Sequence, residues 1–308
     1  MTEFAARLLY LLAAAVARLP WSWLARLGDA MARAVVRRDR RESRVTRRNM
    51  EIIHPELSAS QREALHDAIL RTTARQVLET LRLWTRPHAK NLRLLRAEHG
   101  VELFDAALAS GRGVIVAAPH YGNWELLNQW LAAKTPLAVL YAPPDSKVGE
   151  AFLNLVRAAP GNDAERVTQV RAEGPAAVRQ LLKLLKDGGV VGILPDQQPK
   201  RGDGEFAPFF GRPALTMSLL TRLAARTGAT VLYAYCERMA DDSKEPAFEL
   251  HIEPAAPDGA STDPQVAVAA LNAGIERIAR RDPTQYQWTY KRFSLQPDDA
   301  NPYSPDCY

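Results

Sequence analysis

GVIVAA at 113–118 runs straight into PHYGNWE at 119–125. Six apolar residues, β-branched at the centre and with no polar break, read as a strand buried on both faces, the kind found inside parallel sheets. The same grammar returns at 189–202, where GVVGIL is followed by PDQQPKRG. Around these two runs the chain alternates. Helical periodicity is expected over 124–133, 174–186, 215–226 and 263–281, with further strands over 137–141 and 230–236 and an alternating, edge-like strand over 248–252. Strands separated by helices of this length predict an α/β domain over 86–292, with a largely parallel sheet flanked by helices.

Upstream, residues 1–85 read as all-helical. An apolar run over 8–17 lies between Arg7 and Arg18. It is too short to span a bilayer alone, which takes about 20 residues. Pro20 stops the first helix, and Trp21 and Trp23 suit a lipid–water boundary. No small-residue cleavage site follows the apolar run, so residues 4–36 are expected to form two helices lying on or dipping into a membrane, the alternative being a hairpin buried on the protein's own core. Residues 37–48 (RRDRRESRVTRR) carry seven arginines against two acids. They suit a collar for anionic headgroups, and without interleaved aromatics they do not suit nucleic acid. Ser60 and Glu63 offer a capping box for a helix running to Trp84. The Pro-, Asp- and Ser-rich residues 293–308 are expected to be a loosely ordered tail.

In 308 residues, 47% are apolar and 24% charged, with a net charge of +5. This is globular composition with a leaning toward anionic partners. Two cysteines, Cys236 and Cys307, give no zinc spacing and no disulfide framework. There is no Gly-x-Ser-x-Gly elbow, phosphate-binding loop or His-Glu-x-x-His, and the dinucleotide fingerprint begun at Gly111 fails at Val116.

Open α/β sheets bind ligands beyond the carboxyl ends of their strands. Both polar clusters, 119–125 and 195–202, stand there, so Asp196 should share a cleft with His120. His120 and Glu125 form a His-x4-acid pair. With six histidines and 35 acids in the chain, that spacing alone carries little, but its place at a strand-to-helix turn does. There a carboxylate can fix the imidazole tautomer, leaving the other nitrogen to take a proton from a hydroxyl. His54, His66, His88, His99 and His251 have no acid five residues on and read as structural or surface residues. Phe206, Phe209 and Phe210 read as core rather than as an acyl channel.

HYGNWE at 120–125 resembles the signature of the bacterial lipid A biosynthesis acyltransferases, within the wider lysophospholipid acyltransferase superfamily. Similar in kind are PDQQPKRGDGEFAPFFGRPALT at 195–216, the Arg-rich stretch ending at Asn49, and QYQW (285–288) with KRF (291–293). The resemblance covers nearly the whole chain. It implies transfer of a fatty acyl group from an acyl carrier protein thioester to a hydroxyl of a lipid A precursor; no cofactor is expected, and a metal site from His120, Glu125 and Asp196 is disfavoured because no second histidine lies near in sequence. The place implied is the cytoplasmic face of the inner membrane, with the N-terminal helices as anchor. Carried over by position, His120 is the general base, Glu125 its orienting partner, and Asp196 a required acid. Arg171, or its rival Arg166, is the substrate-binding arginine, with Asn123, Gln197 and Arg201 also assigned to substrate. The run Gln197-Gln198-Pro199 departs from the better-known members, which leaves acceptor and chain length open. The rival readings are an acyltransferase acting on a lysophospholipid or another glycolipid, and a non-catalytic lipid-binding protein.

Overall fold

The computed structural model describes residues 1–141, 144, 146–157, 166–171, 174–240 and 245–307. Its N-terminal part is helical as expected: α1 (Thr2–Ala17), α2 (Trp21–Arg37), α3 (Arg41–Ile53) and α4 (Ala59–Trp84), followed by the single-turn α5 (His88–Asn91). Pro20 separates the first two, which are bent by 114°, and neither is long and apolar enough to cross a membrane by itself. Their inner sides are occupied. Ala6 and Ala13 of α1 pack on Phe152 of α8 (Lys147–Arg157), and Trp21 and Leu24 of α2 on Leu78 of α4. Their outer sides hold Phe4 (74% exposed), Leu11 (64%) and Trp23 (61%).

The cap of α4 differs from expectation. Ser58 caps it, its Oγ accepting from Gln61 N at 3.2 Å while Gln61 Oε1 accepts from Ser58 N at 2.9 Å. The capping-box chemistry is the expected one, shifted by two residues. Glu63, the acid expected to complete the box, is instead drawn to Arg47 at 3.0 Å.

The sheet has seven strands in the order β1-β9-β8-β2-β5-β3-β4. These are β1 (Leu95–His99), β2 (Val114–Ala117), β3 (Leu137–Tyr141), β4 (Val167–Arg171), β5 (Val190–Ile193), β8 (Thr230–Arg238) and β9 (Phe248–Pro254). β8, β2, β5, β3 and β4 are mutually parallel, while β9 pairs antiparallel with β8 and carries β1 parallel to itself. Every residue of β2 and β5 is buried, because α6 (Val101–Ala109) and α7 (Trp124–Lys134) cover one face. On the other face lie α9 (Gly174–Lys186), α10 (Leu219–Thr227) and α11 (Pro264–Ala279). Each fully buried Val or Ile there stabilises the fold by roughly 1.5–3 kcal/mol.

Three strand readings change. β9, expected at an edge, lies inside the sheet; its alternation records one apolar and one polar face, not an open flank. The true edges are β1 and β4, neither of which has a readable pattern, since each is five residues long and polar at most positions. The helix expected from 215 begins only at Leu219. Residues before it form an antiparallel hairpin of β6 (Gly204–Phe209) and β7 (Arg212–Met217), just after the second polar cluster.

The C-terminal residues are not loosely held. Phe293, Tyr303 and Cys307 are buried, and Tyr303 Oη donates to Asn49 Oδ1 at 2.5 Å while accepting from Phe293 N at 3.2 Å. Polarity correctly signals irregular backbone here, but three apolar anchors bind that backbone to the core. Tyr308 lies outside the described residues.

Candidate active site

β2 ends at Ala117, and the six residues 118–123 that lead to α7 form the turn that positions the first polar cluster. Gly122 adopts φ +59°, and a Cβ there would come within 2.0 Å of Cys236 O, so only glycine permits the close approach to β8. The turn is tied on every side. Asn123 N donates to Cys236 O at 2.8 Å, Gly122 N to Gln285 O at 3.1 Å, and Gln287 N to His120 O at 3.0 Å. From α4, Gln76 Nε2 donates to Gly122 O at 2.6 Å. Asn123 caps α7, accepting from Leu126 N at 3.1 Å and donating to Glu79 Oε2 at 3.3 Å.

β5 is the neighbour of β2, so the residue three beyond its end, Asp196, stands beside His120. Its carboxylate grips that residue twice. Oδ1 lies 2.7 Å from His120 Nδ1, and Oδ2 accepts from His120 N at 2.8 Å. Asp196 is 3% exposed. Burial alone would push its carboxyl up; the His120 imidazole and hydrogen bonds from His120 and from Tyr286 outweigh it and hold the group below the ordinary carboxylate range. Tyr286 moves the other way, since burial and then the Asp196 charge raise its phenol well above the ordinary value. Arg292, also buried, puts a guanidinium in the same region, held by Leu215 O at 2.6 Å and Thr216 Oγ1 at 2.5 Å.

An ionised Asp196 accepts Nδ1–H and leaves the lone pair on Nε2. Gln197 Nε2 lies 3.3 Å from that lone pair, and Trp124 packs edge-on against the ring at 5.0 Å between centroids. Nδ1 is thus engaged by a carboxylate and Nε2 faces an amide. The arrangement suits proton transfer.

The carboxylate on Nδ1 belongs to Asp196, where the sequence reading placed Glu125. Glu125 is the second residue of α7 and half-buried. Strand-end position had put Asp196 in the same cleft as His120, and the two do meet there, but chain-local spacing gave the orienting role to Glu125. Asn123, expected at the substrate, is 1% exposed and spends its side chain on the α7 cap and Glu79. Gln197 does reach the site. Arg201 lies on the surface, paired with Asp299 and donating to Gln296 O at 3.1 Å. Arg171 closes β4 at the same end of the sheet as His120, bound to Glu150 Oε1 at 2.6 Å. Arg166 precedes β4, at the opposite end, with Nη1 on Ala133 O at 3.0 Å. Tyr286 received no role from the sequence, although it sits inside the QYQW block; nothing in its spacing points to Asp196, ninety residues earlier.

The sequence profile of the bacterial lipid A biosynthesis acyltransferases matches residues 2–294. A lipid A biosynthesis palmitoleoyltransferase of Escherichia coli K12 is 30% identical over 285 residues, covering 91% of this chain and 88% of that one. The lipid A biosynthesis lauroyltransferase of the same strain is 23% identical over 283 residues, covering 92% and 89%. A phosphatidylinositol mannoside acyltransferase of Mycobacterium tuberculosis is 30% identical over 174 residues, covering 55% and 53%. By this profile and these relatives, the chain is an acyltransferase of the bacterial lipid A biosynthesis family.

Proposed function

We propose that this enzyme moves a fatty acyl chain from an acyl carrier protein thioester to a hydroxyl of a lipid A precursor, with His120 as general base. The observation that carries the reading is the double grip of Asp196 on His120, at Nδ1 (2.7 Å) and at the backbone N–H (2.8 Å). It leaves Nε2 as the basic nitrogen, at the carboxyl end of the central strands. The acceptor hydroxyl gives its proton to Nε2 as its oxygen attacks the thioester carbonyl. The tetrahedral oxyanion then collapses, the C–S bond breaks, and the thiolate takes the proton from Nε2–H. Asp196 stabilises the transient imidazolium, and Glu125 adds negative charge at the first turn of α7. Arg171 is assigned the acceptor's phosphate and Gln197 the approaching hydroxyl.

The reading includes attachment to the cytoplasmic face of the inner membrane. Its support is the outward apolar side of α1 and α2 next to Arg37, Arg38, Arg40 and Arg41. The mannoside acyltransferase similarity favours, as a second reading, a different glycolipid acceptor with the same base.

The test is acyl transfer by the full-length protein in detergent, from a carrier-protein thioester to a lipid A precursor. His120→Ala should lose about 10²–10⁴-fold in turnover while still folding, with a lowered melting temperature because the buried Asp196 carboxylate loses its partner. Wild-type turnover in a folded His120→Ala protein would overturn the mechanism. Transfer to a mannosylated phospholipid and not to the lipid A precursor would replace the acceptor.

A further inference from the structure

Three polar side chains converge at the other flank of the sheet, on the face that carries Tyr235. His99, the last residue of edge strand β1, pairs in parallel register with His251 of β9. Their rings stack at 4.7 Å between centroids and 21° between planes. Glu249 lies two residues before His251 on the same face of β9. Its Oε2 is 3.5 Å from His99 Nε2 and 3.5 Å from His251 Nε2. All three candidate ligand atoms fall within 4.8 Å of one another. His251 Nε2 is buried and has no hydrogen-bond partner among the described residues. Below it the ring is clamped against Tyr235, 5.1 Å away between centroids.

A salt bridge alone does not account for this geometry. One carboxylate oxygen is equidistant from two imidazole nitrogens, and neither contact reaches the 2.7–2.9 Å of a charge-assisted hydrogen bond. Ligands bound about 2.1 Å from a tetrahedral ion stand about 3.4 Å apart, which matches both spacings. Glu237 Oε2, 3.7 Å from His251 Nε2, already accepts from Arg281 Nε at 2.7 Å. The chain therefore supplies three ligands and leaves a remaining position to water.

We propose that His99, His251 and Glu249 form a binding site for a divalent first-row transition metal, zinc foremost, separate from His120 and Asp196. Two imidazoles and a carboxylate are the donor set that such ions take. The ion's role here is structural. β1 is a five-residue, mostly polar edge strand held to the sheet by β9 alone, and a metal bridging His99 to His251 and Glu249 would staple it there. Neighbouring β8 holds the turn after β2 through Cys236, so the staple steadies the flank on which the active-site turn rests.

The experiment uses the tag-free, full-length protein in detergent, stripped of metal and titrated with Zn²⁺ by calorimetry and with Co²⁺ by visible absorption. Wild type should bind one Zn²⁺ per chain, show cobalt d–d bands of an N/O site, and melt higher with zinc. Outer partners of metal ligands already cost 10–100-fold in affinity, so loss of a ligand should cost at least about 100-fold. His99→Ala, at a half-exposed position, and Glu249→Gln should both show it and lose the zinc-dependent rise in melting. His66→Ala serves as control, because Glu63, His66 and Asp67 form another cluster of ligand-bearing side chains; it should bind zinc as wild type does. Absence of stoichiometric binding in wild type, equal binding by His99→Ala and Glu249→Gln, or loss only in His66→Ala would each overturn the proposal.

Discussion

At the scale of single residues, the site turns on which carboxylate serves His120. Asp196 is buried and bonded to Nδ1, so Asp196→Asn should cost more turnover than Glu125→Gln; the reverse order in the acyl-transfer assay would return the orienting role to Glu125. The same contact predicts a pH dependence. The folded Asp196 carboxyl lies below its ordinary value of 3.8, so its stabilising effect is complete above that value and fades as pH falls through the lower, folded one. Denaturant titrations of wild type and Asp196→Asn should therefore differ fully at pH 7 and converge in strong acid. Gly122 shows how a backbone requirement is legible before any fold is known. A glycine between a strand end and a helix cap signals a turn, but the reason that alanine fails, the 2.0 Å approach to Cys236 O, comes from a strand more than one hundred residues away.

At the scale of elements, α1 and α2 present two different sides. Because Ala6, Ala13, Trp21 and Leu24 are buried, deleting the helices would also open the core, and the cleaner probe is their outer surface. Replacing Phe4, Leu11 and Trp23 together by Ser should weaken binding to anionic vesicles with little change in melting temperature, leaving a salt-sensitive remainder from the arginines. Vesicle binding equal to wild type would remove the anchor. β4 separates the two candidate arginines by placing one at each end of the strand. Arg171→Ala should mainly raise the acceptor KM, whereas Arg166→Ala should leave kinetics unchanged. The reverse pattern would assign the phosphate to Arg166. The helices α7, α9 and α11 were legible because each keeps apolar period over several turns, while β1 and β4 were not, since a short polar strand exists only through its neighbour.

At the scale of the whole molecule, the third helix and the C-terminal residues meet. Asn49 of α3 donates to Trp288 O at 2.7 Å and Tyr290 O at 2.9 Å and accepts from Tyr303, while Gln198 binds Ser294 and Leu295 beside the active site. Removing the 1%-exposed Tyr303 side chain should therefore destabilise the entire fold, by about 3 kcal/mol for Tyr303→Ala, read as a lowered melting temperature. An unchanged melting temperature would mean that the tail is dispensable after all. What the sequence by itself determined was the α/β class, the helical N-terminus, the buried strands before each polar block, and the placing of His120 and Asp196 at strand ends. All of these rest on periodicity and local composition, which are written along the chain. What only the tertiary structure decided was partnership: Asp196 rather than Glu125 on Nδ1, Asn123 as a helix cap, β9 inside the sheet, and the meeting of His99, His251 and Glu249. Such contacts join residues from separate strands, and strand order is set by how the helices cover the two faces of the sheet, which no local pattern encodes.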